Sequence, residues 1–134
     1  NEVVGYVQVY THNSAAFYFD FVTTEPGWEV IESHIAFAID PDDIPQTGSG
    51  NPKVGKFPYS DDDGNYDPIA IPSAWTLPTQ IYIAAHAVVR YTDPCDPCIV
   101  REETAWGMGE DCNGAFSIPF GGRSWAEYFP YVVK

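Results

Sequence analysis

"QIYIAAHAVVRYT", residues 80 to 92, decides how this chain folds. It is long and mostly apolar on both of its alternating faces. A strand with both faces apolar belongs in the middle of a sheet that is covered on both sides. The one histidine inside it, His86, argues against a membrane span. No apolar run in the sequence approaches the roughly 18 residues that a transmembrane helix needs.

The segments around it carry the same period of two. "VVGYVQVY" (3–10) is rich in valine and tyrosine. "AFYFDFVTT" (16–24) sets Phe17, Phe19 and Phe21 against Tyr18, Asp20 and Val22. "WEVIESHIAFAI" (28–39) sets Ile31, Ser33, Ile35, Phe37 and Ile39 against Glu32, His34, Ala36 and Ala38. "PIAIP" (68–72), "AFSIPF" (115–120) and "SWAEYFPYVV" (124–133) complete a set of about seven strands. Such β-branched and aromatic alternation is the signature of half-buried strands. Proline- and glycine-punctuated clusters separate them: "TEPG", "DPDDIPQTGSGNP", "SDDDGNYDP", "TDPCDPC", "GEDCNG" and "GGRS". No stretch keeps a helical period over ten residues, and at most "EETAW" or "PSAW" makes one helical turn. The expectation is an all-β chain, a single β-sandwich domain over 1–134 of jelly-roll or immunoglobulin-like type.

Composition bounds the function. The 134 residues are 45% hydrophobic and 16% aromatic, a folding composition. Six Lys and Arg stand against 19 Asp and Glu, for a formal charge of -13. Nucleic-acid binding relies on basic side chains that release counterions, so no nucleic-acid partner is expected. Anionic membrane surfaces are disfavoured for the same reason, and membrane insertion is not expected. An acidic chain suits a cation-rich exterior. The sequence opens on Asn1 as if already processed, so the expected location is extracellular or at the cell surface.

The acidic residues concentrate. In "YSDDDGNYDP" (59–68), Asp61, Asp63, Asn65 and Asp67 fall at alternating positions. Calcium takes six to eight oxygens at about 2.3–2.6 Å, and a tight loop can turn alternate side chains toward one ion. The loop is not an EF-hand. Gly64 takes the fourth place from Asp61, not the sixth, and Pro72 stands where a bidentate glutamate would. The alternative is a solvated acidic turn. "DPDDIP" offers a second calcium candidate in Asp40, Asp42 and Asp43, or else an Asx-turn stiffened by proline. Asp93, Asp96, Glu102, Glu103, Glu110 and Asp111 could bridge to a cation or face solvent.

Cys95, Cys98 and Cys112 make an odd count. A Cys98–Cys112 or Cys95–Cys112 bridge would close a short loop and add about 3 kcal/mol in the loop-entropy model. Three reduced, buried cysteines are the alternative. His34 and His86 would meet if their strands are neighbours and could then bind zinc with Cys95 or Cys98. The paired ligand spacings of a zinc site are absent, however, and a hydrogen-bonded core histidine is the simpler reading. No nucleophile with its base, Gly-rich phosphate loop or nucleophile elbow is present, so no catalytic residue is assigned.

Trp28, Trp75, Trp106 and Trp125 stand near strand ends or in loops. Exposed, Trp28, Trp75 or Trp125 could stack on sugar rings, which makes carbohydrate the alternative partner. Buried, they would cap the sandwich or an interface. The first ten residues offer an assembly strand, with Val3, Val4, Tyr6, Val7, Val9 and Tyr10 donated to another copy's open sheet edge. Head-to-tail donation gives an open polymer. The ordinary reading is a first strand in its own sheet.

"IYIAAHAVV", "ETAWG" and "SWAEYFPY" resemble a β-domain of secreted archaeal and bacterial surface proteins, over about the C-terminal half. "GWEVIESHIAFAI" is a weaker echo. More loosely, the whole is similar to cannula-type subunits of extracellular tubes. That second resemblance implies β-sandwich subunits held together by calcium and donated strands. The resulting expectation is an extracellular structural protein, a calcium-binding homopolymer of filament, tube or sheet form. A calcium-stabilised carbohydrate-binding module is the alternative, and a secreted hydrolase ranks below both.

Overall fold

The computed structural model describes residues 3–13, 15–111, 114–116, 118–122 and 126–134, with backbone alone at 109–111 and 114–116. Among them the chain is all-β. The strands are β1 (Gly5–His12), β2 (Ala16–Thr23), β3 (Trp28–Ala38), β4 (Tyr59–Asp61), β5 (Ile69–Ala70) and β6 (Thr79–Thr92). They continue with β7 (Val100–Trp106), β8 (Gly109–Asp111), β9 (Gly114–Phe116), β10 (Ile118–Pro119) and β11 (Glu127–Val133). Two short 3-10 turns, Pro41–Asp43 and Val54–Lys56, interrupt the β3–β4 connection.

One antiparallel sheet has the order β1-β2-β5. The larger has the order β10-β11-β6-β3-β4, with β7 also paired to β6. The result is the expected β-sandwich. β6 is its central strand, with Ile81, Ile83, Ala84 and Ala85 fully buried. Successive residues on opposite faces are excluded from water together, as the apolar run at 80–92 requires. The strands number nine in these sheets rather than about seven, and β8 and β9 form a separate pair.

The chain divides into two compact units, and β3 and β6 each contribute to both. The first unit comprises 1–33, 60–71 and 87–105. In it, Trp28, Ala87 and Val89 are buried together, and Val4, Phe21, Val30 and Tyr91 pack against them. The second comprises 34–59, 72–86 and 106–134. Its core gathers Ala36, Ile44, Phe57, Ala84, Phe120 and Ala126. Each fully buried Ile or Phe contributes about 1.5–3 kcal/mol relative to exposure.

Two local expectations are corrected. "EETAW" is not a helical turn but part of β7. Its Glu102 accepts a hydrogen bond from Arg90 of β6 at 3.0 Å, and the Arg101 guanidinium lies 5.3 Å from the Trp28 ring centroid and 5.2 Å from that of Tyr91. Pairing with β6 overrides the weak local preference. Ile39 does not share the buried face of Ser33 and Ile35. It lies past the end of β3 and is 46% exposed.

Candidate functional site

The acidic loop 61–67 is held by the protein's own backbone. Asp61 Oδ1 accepts the backbone N–H of Asp63 at 3.0 Å and of Gly64 at 3.1 Å, and Asp63 Oδ1 accepts that of Asn65 at 3.0 Å. These are Asx-turns, in which a short carboxylate replaces a backbone acceptor. The Gly64 carbonyl accepts the Phe21 N–H at 3.0 Å, and the Tyr66 N–H reaches the Phe19 carbonyl at 3.3 Å. Buried Ser33 donates its hydroxyl to the Asp61 carbonyl at 2.8 Å and lies 2.9 Å from the Tyr66 hydroxyl. Gly64 makes the close approach possible. Its φ is +78°, a conformation that side chains other than glycine's rarely adopt.

Within this frame the carboxyl groups of Asp61 and Asp63 shift one another's ionisation in opposite directions. The bond that a protonated Asp61 donates to the Asp63 carboxylate is the main cause that raises the Asp61 pKa, with burial and the Asp63 charge adding to it. The same contact lowers the pKa of Asp63, and its bond from the Asn65 N–H adds to that. Asp62, Asp67 and Asn65 are exposed. The sequence set Asp20 with Tyr18 and Val22 against the phenylalanine face of its strand, without giving it a role. In the structure the backbone of Asp20 in β2 forms an antiparallel bridge with Asn65 of the loop. The charge in "FYFDF" was the available signal.

The pair fits a hard divalent cation in charge and donor type. Among the described residues, no three His, Cys, Asp or Glu side chains converge as a metal group. Loop carbonyls and water would therefore complete a shell of six to eight oxygens.

In the ion-free protein this crowding sets the sign of a mutation. Asp63→Asn keeps an oxygen for the Asn65 N–H and removes the like charge. Above the carboxylate range it is expected to be neutral or stabilising without calcium. Were the pair to bind calcium, the wild type would gain stability that the variant lacks, and the order would reverse. Paired thermal melts with and without calcium measure the crossing.

The second acidic cluster is a cap. Asp40 Oδ1 accepts the Asp42 N–H at 2.9 Å at the start of the 3-10 turn Pro41–Asp43, while Asp42 and Asp43 are exposed in that turn. Asp93 and Asp96 play the same local part before Cys95 and Cys98.

Other expected residues are placed as follows. His34 and His86 do meet, with ring centroids 6.1 Å apart. His86 is buried, with its ring edge-on to Trp106 at 4.7 Å. Cys95 and Cys98 are exposed free thiols in the loop after β6, neither bridged nor buried. Cys112, the expected disulfide partner, lies outside the described residues, as does Trp125. Trp28 is buried under Arg101, so it offers no sugar platform. Trp75 is half-buried, edge-on to Phe37 at 5.9 Å.

The segment expected to serve as an assembly strand is in register with its own β2 along its whole length, from Gly5↔Thr23 to His12↔Ala16. β1 is the outer strand of its sheet. Tyr6, Gln8, Tyr10 and His12 are exposed, while Val7 and Val9 turn inward. Tyr10 stacks on Tyr18 at 4.9 Å, with rings 3° from parallel. Val3 is 78% exposed, and the carbonyl of Val4 accepts the Thr24 N–H at 2.8 Å.

Among the described residues, no helix is long and apolar enough to cross a membrane. No protein-family model matches the chain, and neither a curated protein nor a solved structure matches it.

Proposed function

We propose that the chain is an extracellular structural subunit that binds calcium and associates with copies of itself into a filament, tube or sheet. The observation that carries this reading is the outer edge of β1. It runs for eight residues with neither lysine nor proline, and it shows Tyr6 and Tyr10 to solvent. Natural sheets blunt such edges with charge, proline or a bulge when they must stay single. A second copy can add to this edge without displacing β1 from β2. Calcium at Asp61 and Asp63 relieves repulsion between chains that each carry a formal charge of -13.

The double substitution Tyr6→Lys, Tyr10→Lys tests the edge directly. Both side chains are exposed, so the fold is expected to survive. Sedimentation in calcium should then show only monomer. Polymers that persist in this variant would move the contact elsewhere.

A carbohydrate-binding module is the second reading, favoured by the exposed tyrosines beside Gln8 on the same face. Glycan-array binding that Tyr10→Ala removes, in a chain that stays monomeric with calcium, would favour it.

A further inference from the structure

We propose that the loop between β6 and β7 is half of a tetrahedral metal site, completed by the same loop of a second copy around a zinc ion. The sequence repeats a tripeptide there, Asp93-Pro94-Cys95 and then Asp96-Pro97-Cys98. Each repeat folds alike. Asp93 Oδ1 accepts the Cys95 N–H at 2.8 Å, and Asp96 Oδ1 accepts the Cys98 N–H at 3.1 Å. Asp93 Oδ1 also accepts the Asp96 N–H at 3.2 Å. The Ile99 N–H closes the second turn on the Asp96 carbonyl, and the Asp93 N–H closes the loop on the Ile99 carbonyl, both at 3.0 Å. Two thiols are thus carried three residues apart on an ordered backbone, and both are free and exposed.

Structural zinc sites take four ligands, and a Cys-x2-Cys turn supplies two of them. Among the described residues, no third side chain joins this pair in a metal group. Two copies of the loop supply the four thiolates. Ile99 and Val100, 52% and 51% exposed beside Cys98, give such a contact apolar surface to cover. A redox role is less well served. Reactive dithiols draw on a helix N-terminus or basic neighbours to stabilise thiolate, whereas two aspartates flank these thiols. Carboxylates beside thiols favour capture of a cation, with the thiol protons released as the metal binds.

The opposing force is repulsion between two acidic chains. Ionic strength screens it over a Debye length of about 8 Å at physiological salt. The zinc-bridged dimer therefore tightens as salt rises, opposite to an ion-paired interface. This site is independent of the calcium reading, and calcium-free buffer keeps the two apart.

The test uses the reduced full chain without calcium, titrated with cobalt(II) as the spectroscopic probe and then with zinc. The expected result is thiolate-to-cobalt charge transfer with tetrahedral visible bands, saturating at one metal per two chains. Sedimentation should show dimer at the same ratio. Cys95→Ser, Cys98→Ser or alkylation of the wild type should remove both signals, and Cys112→Ser should leave both. Saturation at one metal per chain without dimer would overturn the proposal. So would absence of thiolate bands, or loss of the bands in Cys112→Ser.

Discussion

Gly64→Ala is expected to destabilise the protein by about 2–4 kcal/mol, combining a left-handed backbone with overpacking. The expected drop in melting temperature is on the order of 10 °C. Gly64 has φ +78°, and an added Cβ would sit 2.6 Å from Phe21 Cβ and 3.0 Å from its Cγ. The loop cannot retreat freely. The Gly64 carbonyl holds the Phe21 N–H, its N–H is held by Asp61, and the neighbouring Asp61 carbonyl is held by buried Ser33. Calcium should not rescue the variant fully, since the clash is with β2 and not among the carboxylates. A melt that equals the wild type would mean that the loop is free of the sheet. The account of how the acidic segment is ordered would then be wrong.

Phe19→Ala is expected to cost about 3–5 kcal/mol, the range for a large buried aromatic cut to a methyl group. Phe19 is 1% exposed in the middle strand of its sheet. Its ring lies 5.7 Å from Phe17 and edge-on to Tyr66 at 6.4 Å. The loss therefore reaches the acidic loop as well as the core. Burial pushes the Tyr66 phenol from its ordinary 10 up to about 12, opposed by the hydrogen bond with Ser33 and helped by the Asp61 charge. Between those values the folded state holds a proton that the unfolded chain has released. The stability due to this tyrosine is therefore complete below pH 10 and is lost as pH rises through 12. In Phe19→Ala, Tyr66 should ionise nearer its ordinary value, and that alkaline loss should shrink. Denaturant melts at neutral and alkaline pH measure both effects. A variant as stable as the wild type would contradict the packing described for β2.

The sandwich was legible wherever burial selects apolar side chains, on one face of a strand or on both. "AFYFDFVTT", "WEVIESHIAFAI" and "QIYIAAHAVVRYT" became β2, β3 and β6 within a residue or two. β7 was not legible. Five of its seven residues, Val100 to Thr104, are exposed, so no apolar rhythm marks them. "AFSIPF" was read as one strand and is divided between β9 and β10, which pair with different partners.

The acidic loop shows a different limit. Alternate oxygens at Asp61, Asp63, Asn65 and Asp67 read the same whether they face an ion or their own backbone. Spacing cannot separate an Asx-turn from a ligand loop, because both ask for a short acceptor before a tight turn. What the sequence could not supply was the long-range part: Ser33 under Asp61, Phe21 against Gly64, and Asp20 beside Asn65. These contacts join residues far apart in the chain, and no local pattern announces them. The cysteines follow the same logic. Their odd count raised a disulfide, while the repeated Asp-Pro-Cys turn that presents Cys95 and Cys98 to solvent is visible only once the hydrogen bonds are known.

We propose that calcium and the β1 edge together drive association of copies. Electron microscopy of the same sample, first with calcium and then after chelation, tests it most directly. The account predicts ordered polymers that disperse when calcium is removed. A chain that stays monomeric at high concentration with calcium present would contradict it.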